Sequence, residues 1–372
     1  MKEDTAIIFS DGLREYDFGE GHPFRGNRYD IFEKFLSEYF PAEGNYDLLK
    51  AEPANNNELL KICSQEYIDF TSGYFNSTET RHGMADKFSL FHSADNIPRN
   101  KHGRIEEAAR LIIGQAKKAC DLVSNEMYNK VISIGGGLHH AKPNYGEGFC
   151  LYNDVAFCAR YLYQEHRFSR ILIIDTDAHA GNGTCDYFYD NPNVLFIDLH
   201  QDPYTLYPGT GFSHEIGRGS GTGYTINLPM PPYSDIESYE YVFEKVIEPV
   251  VNEFESQIII RNGGSDPHYG DILTNLGLRI DGLHAIGKRI ADLSNICDGK
   301  IIDFVASGYN VEVLPYGWLA LIEGLLGNEL SVEEPSTDIL FPHRGNSLEE
   351  TRKMVDDVIG HLKPYWNCFS TV

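Results

Sequence analysis

The chain has 372 residues, enough to bury a core that can enclose a site, and no apolar run in it approaches the ~20 residues of a membrane span. Its formal charge of −24 at pH 7 speaks against direct binding of a nucleic-acid backbone and suits a cationic or neutral ligand. The seven cysteines form no C-x-x-C pair, and the amino terminus MKEDTAIIFSDG is charged where a secretory leader would be apolar, so a reducing cytoplasm is expected.

In chain order, Ala6 to Phe9 predicts a first strand, followed by a polar loop from Asp11 to Arg28 that contains GEGHPFRGNR. Helical spacing of apolar residues predicts helices over Ile31 to Phe40 and Leu59 to Phe70, with a short strand at Tyr46 to Leu49 between them. The pattern weakens from Thr71 to Gly103, a length of loop that suits either a rim over a site or an insertion. A helix over Ile105 to Val123 then opens a regular alternation. Val131 to Ile134, Ile171 to Ile174, Val194 to Ile197, Ile258 to Ile260 and Ile301 to Val305 read as strands. Helices are predicted over Tyr152 to His166, Tyr239 to Phe254 with a break at Pro249, and Ile280 to Leu293.

Repeated strand-then-helix units predict an α/β fold, a single-domain open sheet, mostly parallel, with helices on both faces. In such sheets a ligand sits beyond the carboxyl ends of the strands. Five apolar strands here run into Gly, His, Asp or Tyr, which points to chemistry at that edge. The most informative stretch is ILIIDTDAHAGNG, Ile171 to Gly183. Asp175, Asp177 and His179 lie two apart, so in a continuing extended chain they leave the backbone on one side. Two carboxylates and an imidazole suit a divalent cation; a strand end followed by a helix capped by Asp177 is the competing explanation, and this run alone leaves both open.

The run GGLHHAKPNYGEGFCLYND that begins at Gly136, DTDAHAGNG, YPGTG at Tyr207 to Gly211, GGSDPHYGD at Gly263 to Asp271 and SGYN at Ser307 to Asn310 together resemble the histone deacetylase superfamily. That group includes acetoin-utilisation proteins and acetylpolyamine amidohydrolases. The motifs occur in the family's order over about residues 20–325, which leaves 326–372 as a C-terminal helical extension of one catalytic domain spanning 1–372.

The resemblance implies an arginase/deacetylase-like fold and a metal-dependent amidohydrolase that removes an acetyl or short acyl group from acetyl-lysine or an acetylated polyamine. By position, Asp177, His179 and Asp266 match the metal ligands, leaving room for water and a carbonyl on zinc (Zn2+) or iron(II) (Fe2+). His139 and His140 match the tandem proton-transfer histidines, paired in the family pattern with Asp175 and Asn182, and Tyr309 matches the donor to the developing oxyanion. Phe149, Tyr207 and Leu273 match the walls and mouth of a substrate tunnel, Asp95 the rim aspartate and Arg28 an acetate-channel arginine. Asp175, Asp177, His179, Asp198 and Leu199 match a monovalent-cation position for potassium (K+).

Two departures stand out. Ala180 replaces the second histidine of the family's Asp-x-His-His-Gly, and Val305-Ala306-Ser307-Gly308 is less glycine-rich than usual. An arginase-type ureohydrolase with two manganese ions is a rival on the same fold, but Gly181 stands where its bridging carboxylate belongs. A silent acyl-amine-binding protein is the rival from another class. Neither membrane nor nucleic acid is an expected partner, and the oligomeric state is left open.

Overall fold

The computed structural model describes residues 4–76, 81, 83–99, 104–339 and 346–370. The chain divides into two compact units, 1–167 and 168–372.

The first unit carries three parallel strands in the order β2-β1-β3, namely β2 (Asp47–Leu49), β1 (Thr5–Ile8) and β3 (Lys130–Ile134). β1, between two neighbours, is buried along its length, which is why Thr5 is followed by Ala6, Ile7 and Ile8 rather than an alternating pattern. The helix Ile105–Ser124 buries Leu111, Ile112 and Ile113 and packs against the helix Asp154–Glu165. Asn153 caps the latter by accepting the Ala156 N–H at 2.8 Å.

The second unit holds five parallel strands in the order β8-β7-β4-β5-β6: β8 (Ile301–Val305), β7 (Ile258–Gly263), β4 (Ile171–Asp175), β5 (Val194–Gln201) and β6 (Thr225–Met230). Asp175 pairs in register with Asn262 on one side and Asp198 on the other, and Gly263 pairs with Val305. The polar endings of β4, β5, β7 and β8 therefore lie along one edge, where crevice-binding sheets place their chemistry. Within 326–372, the segment expected as a helical extension, the helix Ser347–Leu362 packs on β6, while residues 340–345, 371 and 372 lie outside the described residues.

Several expectations shift. The helix expected over Leu59 to Phe70 is two, Asn56–Leu59 and Gln65–Asn76, the first closed by a capping box between Asn55 and Glu58. Around Pro249 the chain takes a π turn, Phe243–Ile247, between helices Ile236–Val242 and Glu248–Phe254; proline, lacking an N–H, sits in the first turn of the last one, where none is needed. The region from Thr71 to Gly103 is partly helical, with Gln65–Asn76 running into it and a short helix at Phe88–Phe91, while 77–80, 82 and 100–103 lie outside the described residues. β6 and the helix Leu314–Leu326 were not expected.

Candidate active site

β4 ends at Asp175, and beyond it the chain turns rather than continuing as a strand. Convergence of the three residues is instead produced by side chains bonding the backbone two residues on: Asp175 accepts the Asp177 N–H at 3.1 Å, and Asp177 accepts the His179 N–H at 2.8 Å. The extended geometry expected for this run is thus replaced by turns.

These turns bring His179 Nδ1 to 3.0 Å from Asp177 Oδ1, and Asp266, three residues past the end of β7, comes within 3.2 Å of the same nitrogen. All three side chains are buried. One ligand atom from each lies within 4.8 Å of the others, the only such group of three among the described residues. Burial resists charge on His179, yet hydrogen bonds and charge from Asp177 and Asp266 raise the imidazole to about 10. Burial and the facing Asp177 carboxylate push Asp266 well above the usual carboxylate range. Two buried carboxylates repelling one another across an imidazole are a charge arrangement that a divalent cation relieves, so the donor set fits the expected ion.

Neighbours hold these carboxylates in place. Ser307 Oγ donates to Asp266 Oδ1 at 2.6 Å, Thr274 Oγ1 donates to the Asp266 carbonyl at 2.5 Å, and Asn262 Nδ2 reaches both Asp175 oxygens at 3.0 Å. The Tyr309 ring meets His179 edge to face with centroids 6.0 Å apart. Its backbone N–H donates to Asp271 Oδ2 at 2.7 Å, while Asp271 Oδ1 accepts from the Leu273 N–H at 2.9 Å. Leu273, expected near the tunnel mouth, is half-buried, and Tyr207, expected as a tunnel wall, is exposed.

Asp198 Oδ2 accepts the Gly181 N–H at 2.8 Å, and its other oxygen lies 3.0 Å from His200 Nδ1. His200 Nε2 donates to the Gly211 carbonyl at 2.8 Å. Leu199 is buried beside them, and Asn182 opens the short helix Asn182–Phe188.

In the first unit, β3 runs into Gly135, Gly136 and Gly137, all with positive φ. A Cβ on Gly136 would lie 2.3 Å from Asp154 Oδ2, so only glycine lets that carboxylate reach the N–H groups of Gly137 at 2.8 Å and Leu138 at 2.7 Å. These bonds aim the next two residues. His139 and His140 are buried with their Nε2 atoms 3.2 Å apart, and Asn153 Nδ2 bonds the carbonyls of His139 and Ala141. The His140 ring packs on Gly148, where a Cβ would sit 2.2 Å from it.

Phe149 follows in a left-handed conformation, φ 65°, with its carbonyl accepting from Tyr16 Oη at 2.5 Å and its ring edge-on to His22. Asp95 Oδ2 accepts the Gly148 N–H at 3.0 Å, so the rim candidate and the tunnel-wall candidate of this unit adjoin despite being 54 positions apart. Arg28 is buried, its guanidinium 3.9 Å over the Phe24 ring and its Nε bonded to the Arg25 carbonyl at 3.1 Å.

Sequence reasoning gave no role to Asp154, Asn262, Asp271 or Ser307. Asp271 closes the GGSDPHYGD run and Ser307 opens SGYN, so those two sat inside motifs already quoted. Asp154 likewise closes the run that begins at Gly136, whereas Asn262 carried no local signal beyond being polar at the end of an apolar strand.

A histone deacetylase domain model matches residues 22–325. The chain belongs to the histone deacetylase family. Among curated relatives of this family member, a probable deacetylase from Archaeoglobus fulgidus is 35% identical over 98% of the chain and 99% of its own length. The acetoin utilization protein AcuC of Staphylococcus xylosus is 33% identical over 91% of the chain and 86% of its own length. The solved HDA15 HD domain has a TM-score of 0.82 at 24% identity, covering 99% of the chain and 97% of that structure, a likeness that speaks to fold alone. The histone deacetylase family fold, an open α/β parallel sheet with helices on both sides, is thus the class expected from the alternation of elements. No helix among the described residues is long and apolar enough to cross a membrane.

Proposed function

We propose that this family member is a metal-dependent amidohydrolase that removes an acetyl or short acyl group from a linear amine, acetyl-lysine or an acetylated polyamine, within one catalytic domain of a cytoplasmic protein. The observation that carries the reading is the buried triad, with His179 Nδ1 3.0 Å from Asp177 and 3.2 Å from Asp266, in a chain of this family.

In this reading Asp177, His179 and Asp266 hold a single divalent ion, zinc or iron(II), since nitrogen and oxygen donors suit both. Such an ion, when bound, supplies Lewis acidity toward an amide carbonyl and lowers the pKa of water toward ~7. His140 takes a proton from the attacking water and delivers it to the departing amine, with His139 as its electrostatic neighbour and Asp175 and Asn182 as orienting partners. The Tyr309 hydroxyl donates to the oxyanion that develops on the former carbonyl, an interaction worth roughly 3 kcal/mol in comparable sites. The Tyr309 backbone N–H is held by Asp271 Oδ2 at 2.7 Å.

Phe149, Tyr207 and Leu273 are assigned to the alkyl chain of the substrate, Asp95 to its backbone and Arg28 to the released acetate. Asp175, Asp177, His179, Asp198 and Leu199 are assigned to a potassium ion. Gly181 offers no side chain to bridge a second transition metal, and its N–H is given to Asp198, which disfavours the ureohydrolase reading.

The test is acetate release from an acetyl-lysine peptide by zinc-reconstituted protein, beside a Tyr309→Phe control. Turnover by the wild type and its near loss in the control are expected; equal rates in both would remove the proposed mechanism.

A further inference from the structure

Sixty-six positions beyond His268, the segment after the helix Leu314–Leu326 returns to the loop that carries Asp266. Ser331 N–H bonds Glu323 Oε2 at 3.0 Å and Val332 is buried, which brings Glu334 against that loop. There Glu334 Oε1 accepts from His268 Nε2 at 2.6 Å. The direction of this bond is set locally: the Gly270 N–H donates to His268 Nδ1 at 2.9 Å, so the ring proton sits on Nε2. Glu334 Oε2 accepts the Ile280 N–H at 2.9 Å, the first N–H of the helix Ile280–Leu293, whose own N-cap residue, Arg279, provides no side-chain acceptor. A carboxylate at that helix end is also favoured by the helix dipole.

We infer that Glu334 is a positioning residue for the catalytic centre, holding through His268 the loop that presents both Asp266 and the Asp271 carboxylate on which Tyr309 is hung. The ties from the clamp to the chemistry are short. His268 is two residues from Asp266, and its carbonyl accepts the Asp271 N–H at 2.9 Å. Asp271 then accepts from Tyr309 N–H, and the Gly270 carbonyl accepts from Asn310 Nδ2 at 2.7 Å. Thr337, three residues past Glu334, closes over Gly270, where a Cβ would lie 3.1 Å from its methyl group. A fully buried His268 that spends both ring nitrogens on this arrangement holds the loop in one conformation. The inference rests on the assignment of Asp266 to the metal and Tyr309 to the oxyanion.

The test compares wild type, Glu334→Ala, Glu334→Gln and Arg279→Ala, measuring zinc affinity by competition with a chelating dye, kcat and KM for acetate release, and melting temperature. Glu334→Ala is expected to weaken zinc binding and lower kcat by about 10-fold to 100-fold, the range seen when residues behind metal ligands are removed, with KM within about twofold. Glu334→Gln keeps an oxygen for His268 Nε2–H and is expected to recover most of both losses. Arg279 touches the same carboxylate from an exposed position, at 3.6 Å, and its replacement is expected to leave zinc affinity unchanged. Should the alanine protein not fold, Glu334→Asp, too short to span both bonds, takes its place with a smaller shift in the same direction. A lower melting temperature with wild-type zinc affinity and kcat would overturn the positioning role and leave the proposed function standing. A wild type that binds no zinc and releases no acetate would remove the proposed function, and this role with it.

Discussion

The Asp177–His179–Asp266 triad of the second unit and the Asp95–Phe149 corner of the first are built in opposite ways. Asp177 and His179 follow directly on a buried strand and are set by bonds reaching two residues along the chain. Asp95 sits on the single 3-10 turn Ala94–Asn96, and Gly148 and Phe149 in a loop. The two segments are joined by the Gly148 N–H to Asp95 at 3.0 Å, the Ser93 N–H to the Gly146 carbonyl at 2.9 Å and Asn96 Nδ2 to the Cys150 carbonyl at 3.1 Å. Phe149 has φ 65°, which a bulky residue adopts at a cost. A group on strand ends is held by the sheet beneath it; the corner is held by a few bonds between segments distant in sequence. The chemistry should therefore fail steeply when its residues change, and the rim should fail by degrees.

The steepest loss is expected at the metal ligands. His179→Ala, or chelation of the wild type, should lower acetate release by at least about a thousandfold, since Lewis acidity contributes several kcal/mol to the barrier. Activity in His179→Ala within tenfold of wild type would place the chemistry elsewhere. Tyr309→Phe should lower kcat by roughly 10²- to 10³-fold with KM nearly constant, the pattern of a donor engaged in the transition state.

Asp154, beneath the tandem histidines, gives a smaller effect that depends on pH. Burial raises its carboxyl from 3.8 to about 6, against the opposing N–H groups of Leu138 and Gly137. A carboxyl that binds its proton more tightly in the folded state contributes stability fully below about pH 4 and loses it as pH rises through about 6. Denaturant unfolding of wild type and Asp154→Asn across that window should show the difference between them changing by roughly 3 kcal/mol, with wild type relatively favoured at the acid end. A pH-independent difference would mean that Asp154 titrates normally. At the shallow end, Asp95→Ala should cost about 1–2 kcal/mol of stability by leaving the Gly148 N–H without its acceptor, and should raise KM more than it lowers kcat.

The same contrast accounts for what could be read in the sequence. Asp177, His179, Asp266 and Tyr309 were legible because strand ends and short motifs place them, whereas the turns that aim the first two were not, since an extended chain and an aspartate-bonded turn share one spacing. β6 hid behind Pro229, and the helix Leu314–Leu326 is apolar nearly all round because it is buried nearly all round, so it lacks the periodicity that marks a surface helix. The Asn55–Glu58 capping box was readable and would have moved the start of the helix expected over Leu59 to Phe70 back to Asn56; the break before Gln65, where Ser64 Oγ accepts the Tyr67 N–H at 3.3 Å, lies inside the expected span. Glu334 and His268 were beyond reach: a bond between residues 66 positions apart leaves no local pattern.

The most direct test is zinc stoichiometry measured together with activity. Protein stripped by a chelator and titrated with zinc should recover acetate release in proportion to bound metal and reach its plateau at one equivalent per chain. Full activity without metal, or a plateau that requires two equivalents, would contradict a single cation held by Asp177, His179 and Asp266.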